Sequence, residues 1–168
     1  AVDGTINSIN IGKGANSVSG NTVLGESALD ADVSGANNTA IGNNSLTTLT
    51  SGGNNVAVGA NSLKLNTTGS RNTAIGTDAL DALTTGSFNT AVGKDAMGAN
   101  TTGHQNVAVG VSALEANTTS FGNTALGKSA LASNTTASNN TAVGLNSLTA
   151  NTTGANNTAV GSGALEAN

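Results

Sequence analysis

The chain has 168 residues, with 23 glycines, no proline, cysteine, tryptophan or tyrosine, and two phenylalanines, Phe88 and Phe121. Charged residues make up 8% of it against roughly 25% in ordinary domains, so a thick aromatic core is excluded and order must come from repetition. A net charge of −4 offers no basic footprint for nucleic acid or anionic membranes, and no run of about 18 apolar residues is present to span a bilayer.

In chain order, residues 1–20 come first and read as a degenerate N-terminal coil or a cap. Ser8-Ile9-Asn10-Ile11-Gly12 looks like the motif that follows, but Gly12 stands only 13 residues before Gly25. A cap here would protect the open edge of a stacked sheet. The opening Ala1-Val2-Asp3-Gly4 lacks the basic-then-apolar order of a signal peptide, which fits a processed chain or an excised fragment.

Residues 21–168 are a tandem repeat of nine 17-residue coils, the last truncated. Glycine recurs without a break at Gly25, Gly42, Gly59, Gly76, Gly93, Gly110, Gly127, Gly144 and Gly161. Four residues before each stands asparagine: Asn21, Asn38, Asn55, Asn72, Asn89, Asn106, Asn123, Asn140 and Asn157. The residue before each glycine is Val, Ile or Leu, and the one before that is Ala in eight coils and Val23 in the first. Leu follows four residues after the glycine in eight coils, with Met97 in the other. The chain stops at Asn168 inside the ninth coil, which reads as a fragment of a longer fibre or an end covered by another subunit.

Within each coil, Thr-Ala-Val between Asn and Gly predicts one short strand that pairs with its equivalents above and below. Alternation sets the Thr and Val positions on one face and Ala on the other. The glycine predicts a bend that a β-carbon would oppose. The following x-x-Ala-Leu is compatible with a second strand or one helical turn, and Asn-Thr-Thr-Gly closes the coil with turn chemistry. The residue before each glycine and the Leu after it are the two large aliphatics expected to fill the core. Such a thin interior, with Ala ladders that let another chain approach, predicts oligomerisation, with a trimer expected.

Catalysis needs unlike groups brought together, and little here supplies them. His104, the single histidine, falls at a turn position held elsewhere by Ala36, Gly53, Ser70, Ser87 and Phe121, and reads as a solvated turn residue. Acidic residues occupy variable outward positions; a weak cation site at Asp30 and Asp32 is the only pairing among them to consider. No catalytic residue, metal ligand or cofactor site is therefore expected. The Asn and Gly rows read as structural ladders. Arg71, Phe88, His104, Gln105 and Phe121 fall at neighbouring turn positions of consecutive coils and are the candidate surface contacts. Alternatively, the two phenylalanines could plug a subunit interface. Thr50, Thr67, Thr84, Thr101, Thr118, Thr135 and Thr152 form a regular row that resembles ice-binding surfaces, although the threonine pairs are adjacent rather than alternate. Sequons at Asn66, Asn100, Asn117, Asn134 and Asn151 would crowd the coil with glycans in a eukaryotic secretory pathway, which favours a bacterial or viral source.

Asn55-Val56-Ala57-Val58-Gly59 and Asn106-Val107-Ala108-Val109-Gly110 resemble the Asn-Ser-Val-Ala-Ile-Gly motif of trimeric autotransporter adhesin heads. The longer pattern, continued through Ala-Leu to Asn-Thr-Thr-Gly, is similar to repeats of phage tail fibres. The resemblance covers residues 21–168 through one short motif per coil, and departs from the adhesin heads in its longer period. It implies an all-β, parallel β-solenoid or β-roll, left-handed and trimeric, forming an elongated rod. It also implies an extracellular place on a virion fibre or bacterial surface and contact with a host glycan or protein. No ligand-binding residue carries over. The expected function is a structural or adhesive fibre segment, the alternatives being a self-assembling filament subunit stacked end to end and an ice-binding solenoid.

Overall fold

A computed structural model describes residues 4–6, 9–14, 16–31 and 33–167. They form a β-solenoid around a single sheet of eleven strands joined in chain order. β1 (Gly4–Ile6) and β2 (Ile9–Gly12) make an antiparallel hairpin, and β2 lies antiparallel to β3 (Thr22–Gly25). β1 and β2 thus extend the sheet at its first edge, β2 running opposite to the repeat strands.

From β3 onward every pairing is parallel. The strands are β4 (Thr39–Ile41), β5 (Val56–Val58), β6 (Thr73–Ile75), β7 (Thr90–Val92), β8 (Val107–Val109), β9 (Thr124–Leu126), β10 (Thr141–Val143) and β11 (Thr158–Val160). Register is one coil per step, so Ala57 pairs with Ala74 and Ala74 with Ala91. Three residues suffice for each strand because both edges are hydrogen-bonded along the axis.

The segment after each glycine is neither strand nor helix. It is a run of overlapping turns: the Ser62 N–H donates to Gly59 O, Lys64 N–H to Asn61 O, and Asn66 N–H to Leu63 O. The third residues of the first two turns, Asn61 and Leu63, have φ of 58° and 51°. Asn suits such a turn position, but Leu does not. A left-handed Leu costs roughly 1–2 kcal/mol, while burying it fully returns about 1.5–3 kcal/mol, so burial wins. Leu46, Leu63, Leu80, Met97, Leu114, Leu131 and Leu148 are all completely buried with positive φ. Backbone bonds also join these turns between coils, with the Leu63 N–H donating to Ala79 O and the Asn61 N–H to Asn43 O.

The core is one narrow cluster of the strand alanines, the Ala or Ser before the turn Leu, and that Leu. Here the expected core needs correction. Ala40, Ala57, Ala74, Ala91, Ala108, Ala125 and Ala142 are the buried strand residues, whereas Leu24, Ile75, Val109, Leu126 and Val160 are exposed. Only one of the two expected aliphatics per coil points inward, because the space between sheet and turns is filled by a methyl facing a Leu. The Ala ladder is therefore interior and cannot be a surface for another chain. The aliphatic ladder outside it is the surface that remains.

Candidate functional site

The Asn row runs inside the coil. Asn38, Asn55, Asn72, Asn89, Asn106, Asn123 and Asn140 are fully buried, a location that polar amides occupy only when their hydrogen bonds are met. The middle of the row meets them along the axis. The Asn89 N–H and Nδ2 both donate to Asn72 Oδ1, at 2.9 and 3.2 Å. Nδ2 also donates to Gly103 O at 2.8 Å, tying the strand's start to the end of the same coil. Asn89 Oδ1 in turn accepts from the Asn106 N–H at 3.1 Å. Asn140 keeps its backbone bond to Asn123 Oδ1, but its Nδ2 has no partner.

A second buried Asn row lies where the coil closes. Asn66 Oδ1 accepts the Gly69 N–H and its Nδ2 donates to Gly69 O, each at 3.0 Å; Asn100 does the same with Gly103. Leu49 and Leu83 replace it in two coils and are equally buried. These Asn residues, with Asn117, Asn134 and Asn151, are the sequons of the closing turn, and at no more than 2% exposure their amides are buried in the folded chain.

The Gly row packs backbone against backbone. At Gly93, φ is 136° and an added β-carbon would overlap the carbonyl of Gly110 in the next coil. Both amide rows and the glycines are thus bound up in the rod and present no chemistry to solvent. The threonine row is similarly committed: Thr67 Oγ1 donates to Thr84 O at 3.1 Å and Thr84 Oγ1 to Thr101 O at 3.0 Å.

The candidate contact residues stand outside the coil, on one corner, where they form two pairs. The Arg71 guanidinium carbon sits 5.1 Å from the centroid of the Phe88 ring. His104 and Phe121 stack with centroids 5.4 Å apart and planes at 9°, so His104 is exposed yet held by a neighbouring ring. Between the pairs lies a shallow, open depression of about 390 Å³, lined by Phe88, His104 and Gln105 with Thr85, Ser87 and Thr102. The stacking of these side chains across coils follows from the 17-residue register, but which pairs touch is visible only in the structure.

Among the described residues no cluster of three or more His, Asp or Glu is placed to hold a metal ion. The Asp30–Asp32 pairing falls outside them, since Asp32 is not described. Asp78, Asp81 and Asp95 are drawn together by the coil register, close enough for Asp78 and Asp95 to act on the Asp81 carboxyl. Burial first, and then the charge of Asp78, raise the pKa of Asp81 above its ordinary value of 3.8. No helix of the described residues is long and apolar enough to cross a membrane. No protein-family model, no curated protein and no solved structure matches the chain.

Proposed function

We propose that this chain is a rigid rod or head segment of an extracellular fibre, of the phage tail-fibre or bacterial-adhesin kind, that works as a homotrimer and carries a contact surface for a host receptor. One observation carries the reading: the outward face of the parallel sheet is an unbroken column of Val, Ile or Leu, from Leu24 to Val160, beside a column of Thr or Val. Exposure along it reaches 45% at Leu24, 41% at Ile75 and 70% at Val160. Contiguous apolar surface of this sort marks an interaction site. The column repeats at about 4.8 Å, the spacing of paired strands, and a second copy of this chain bears a column with the same pitch. The interior, filled by methyl groups, Leu, Met97, a few Ser hydroxyls and the amide ladders, supports a scaffold rather than a catalyst.

Sedimentation equilibrium tests the reading. A single trimeric species is expected, and replacing both Ile75 and Val109 by Lys should give a folded monomer with an unchanged circular dichroism spectrum. A wild-type chain that stays monomeric up to roughly millimolar concentration, where even weak association shows, would sink the proposal. Open-ended growth into filaments would instead favour end-to-end stacking.

A further inference from the structure

The corner of the rod carries a departure from the repeat that the scaffold does not need. The last residue of each coil has φ near 60°, and coils one, two, seven and eight fill it with Asn37, Asn54, Asn139 and Asn156. Asn tolerates that conformation better than other residues with a side chain. The residue before it is small in most coils: Ala36, Gly53, Ser70, Ser87, Ser138 and Ala155. In three consecutive coils the Asn gives way to Arg71, Phe88 and Gln105, with φ of 59°, 63° and 58°. In two consecutive coils the small residue gives way to His104 and Phe121. Conformational energy is spent here, and the core gains nothing, since Phe88 is 52% and Phe121 43% exposed. Strain of this kind, without packing to explain it, points to function.

We propose that this corner, centred on Phe88, binds a neutral pyranose unit of a short oligosaccharide. The proposal gives a chemical class to the receptor contact above and rests on that reading only for its biological setting. Arg71 over one ring and Phe121 against His104 hold the side chains in place before any ligand arrives. That preorganisation lowers the entropic cost of binding. The depression offers an exposed aromatic ring for the C–H face of a sugar. Around it stand an amide (Gln105), an imidazole (His104) and the hydroxyls of Thr85 and Thr102 for sugar hydroxyls. No carboxylate or ammonium lines it, and the Arg71 guanidinium is engaged on the Phe88 ring rather than among the lining groups, which favours a neutral sugar over a charged one. An extended peptide is disfavoured, because the backbone there is already paired between coils: the Phe88 N–H donates to Ser70 O and the Gln105 N–H to Ser87 O.

The test is a printed array of neutral and sialylated oligosaccharides probed with the whole chain, followed by calorimetric titration of the strongest neutral hit. Phe88→Asn introduces the residue that coils one, two, seven and eight carry at this position and should leave circular dichroism and sedimentation unchanged. It should weaken the neutral glycan about tenfold or more, the loss expected when an aromatic platform is removed. Phe121→Ser, which frees His104, should weaken it less. The proposal is overturned by no neutral glycan bound at roughly millimolar concentration, by binding that Phe88→Asn does not change, or by binding confined to sialylated glycans or to a control peptide array. Sedimentation of the same samples separates the two ideas. A trimer that binds no glycan overturns this site and leaves the rod, whereas a glycan-binding monomer does the reverse.

Discussion

At the scale of single residues, the interior amides and one carboxylate carry measurable consequences. Replacing Asn89 with Ala leaves the Asn106 N–H, inside the coil, without its partner and takes from the Gly103 carbonyl one of its two donors, Asn100 Nδ2 remaining. A buried orphan costs about 1–3 kcal/mol, so a loss of about that size is expected in urea unfolding at equilibrium. A loss below ~1 kcal/mol would mean that water reaches the ladder. Asp81 works in the opposite sense. Its folded pKa lies above the unfolded value of 3.8, because burial and then Asp78 disfavour the charge. The folded chain therefore binds more protons than the unfolded one between those two values, and stability contributed by this group rises as pH falls through the folded pKa. Asp81→Asn should be more stable than wild type near pH 7, with the advantage shrinking toward about pH 4, as paired urea melts would read.

At the scale of the coil, the elements are held by turns more than by strands. Gly93 sits at φ 136° with Gly110 stacked directly on it, whereas Gly98, only five residues on, has its nearest neighbours 3.5 Å from an added β-carbon. Gly93→Ala should prevent cooperative folding or open the sheet at coil five. Gly98→Ala should be neutral or stabilising by about 0.4–1 kcal/mol, since its chief effect is on the unfolded chain. Thermal melts of the two variants side by side decide the matter, and equal behaviour would refute the argument. Because each coil touches only its neighbours, hydrogen exchange in the Gly93 variant should accelerate near coils four to six before it does so at the ends.

At the scale of the whole molecule, surface and interior divide cleanly. The inward ladders of Ala, Leu and Asn build a rod one coil wide, and the outward Val, Ile and Leu ladder leaves it with an apolar flank. Sedimentation of the Ile75 and Val109 lysine variant belongs to this scale, because one exposed aliphatic means little whereas an axial column of them is the kind of surface that marks an interaction site. The Phe88 corner likewise exists only as a relation between coils, since no single coil contains both of its ring pairs.

The sequence by itself determined the period, the strand in each coil, the glycine bend, the Asn rows and the closing Asn-Thr-Thr-Gly turn. Each of these depends on a local residue preference repeated at a constant interval, and repetition makes a weak local signal certain. The tertiary structure alone decided which face of the strand is inside. Alternation says that Ala57 and Val58 point opposite ways, but the width of the interior chooses between them. That width is set by turns in which Leu63 adopts a left-handed conformation at 51°, and nothing about leucine announces it. The turn was ambiguous in sequence because its cost is repaid by burial between coils, a gain no local window contains. The pairing of Arg71 with Phe88 and of His104 with Phe121 was hidden for the same reason: register places those coils together, and only side-chain direction determines what touches.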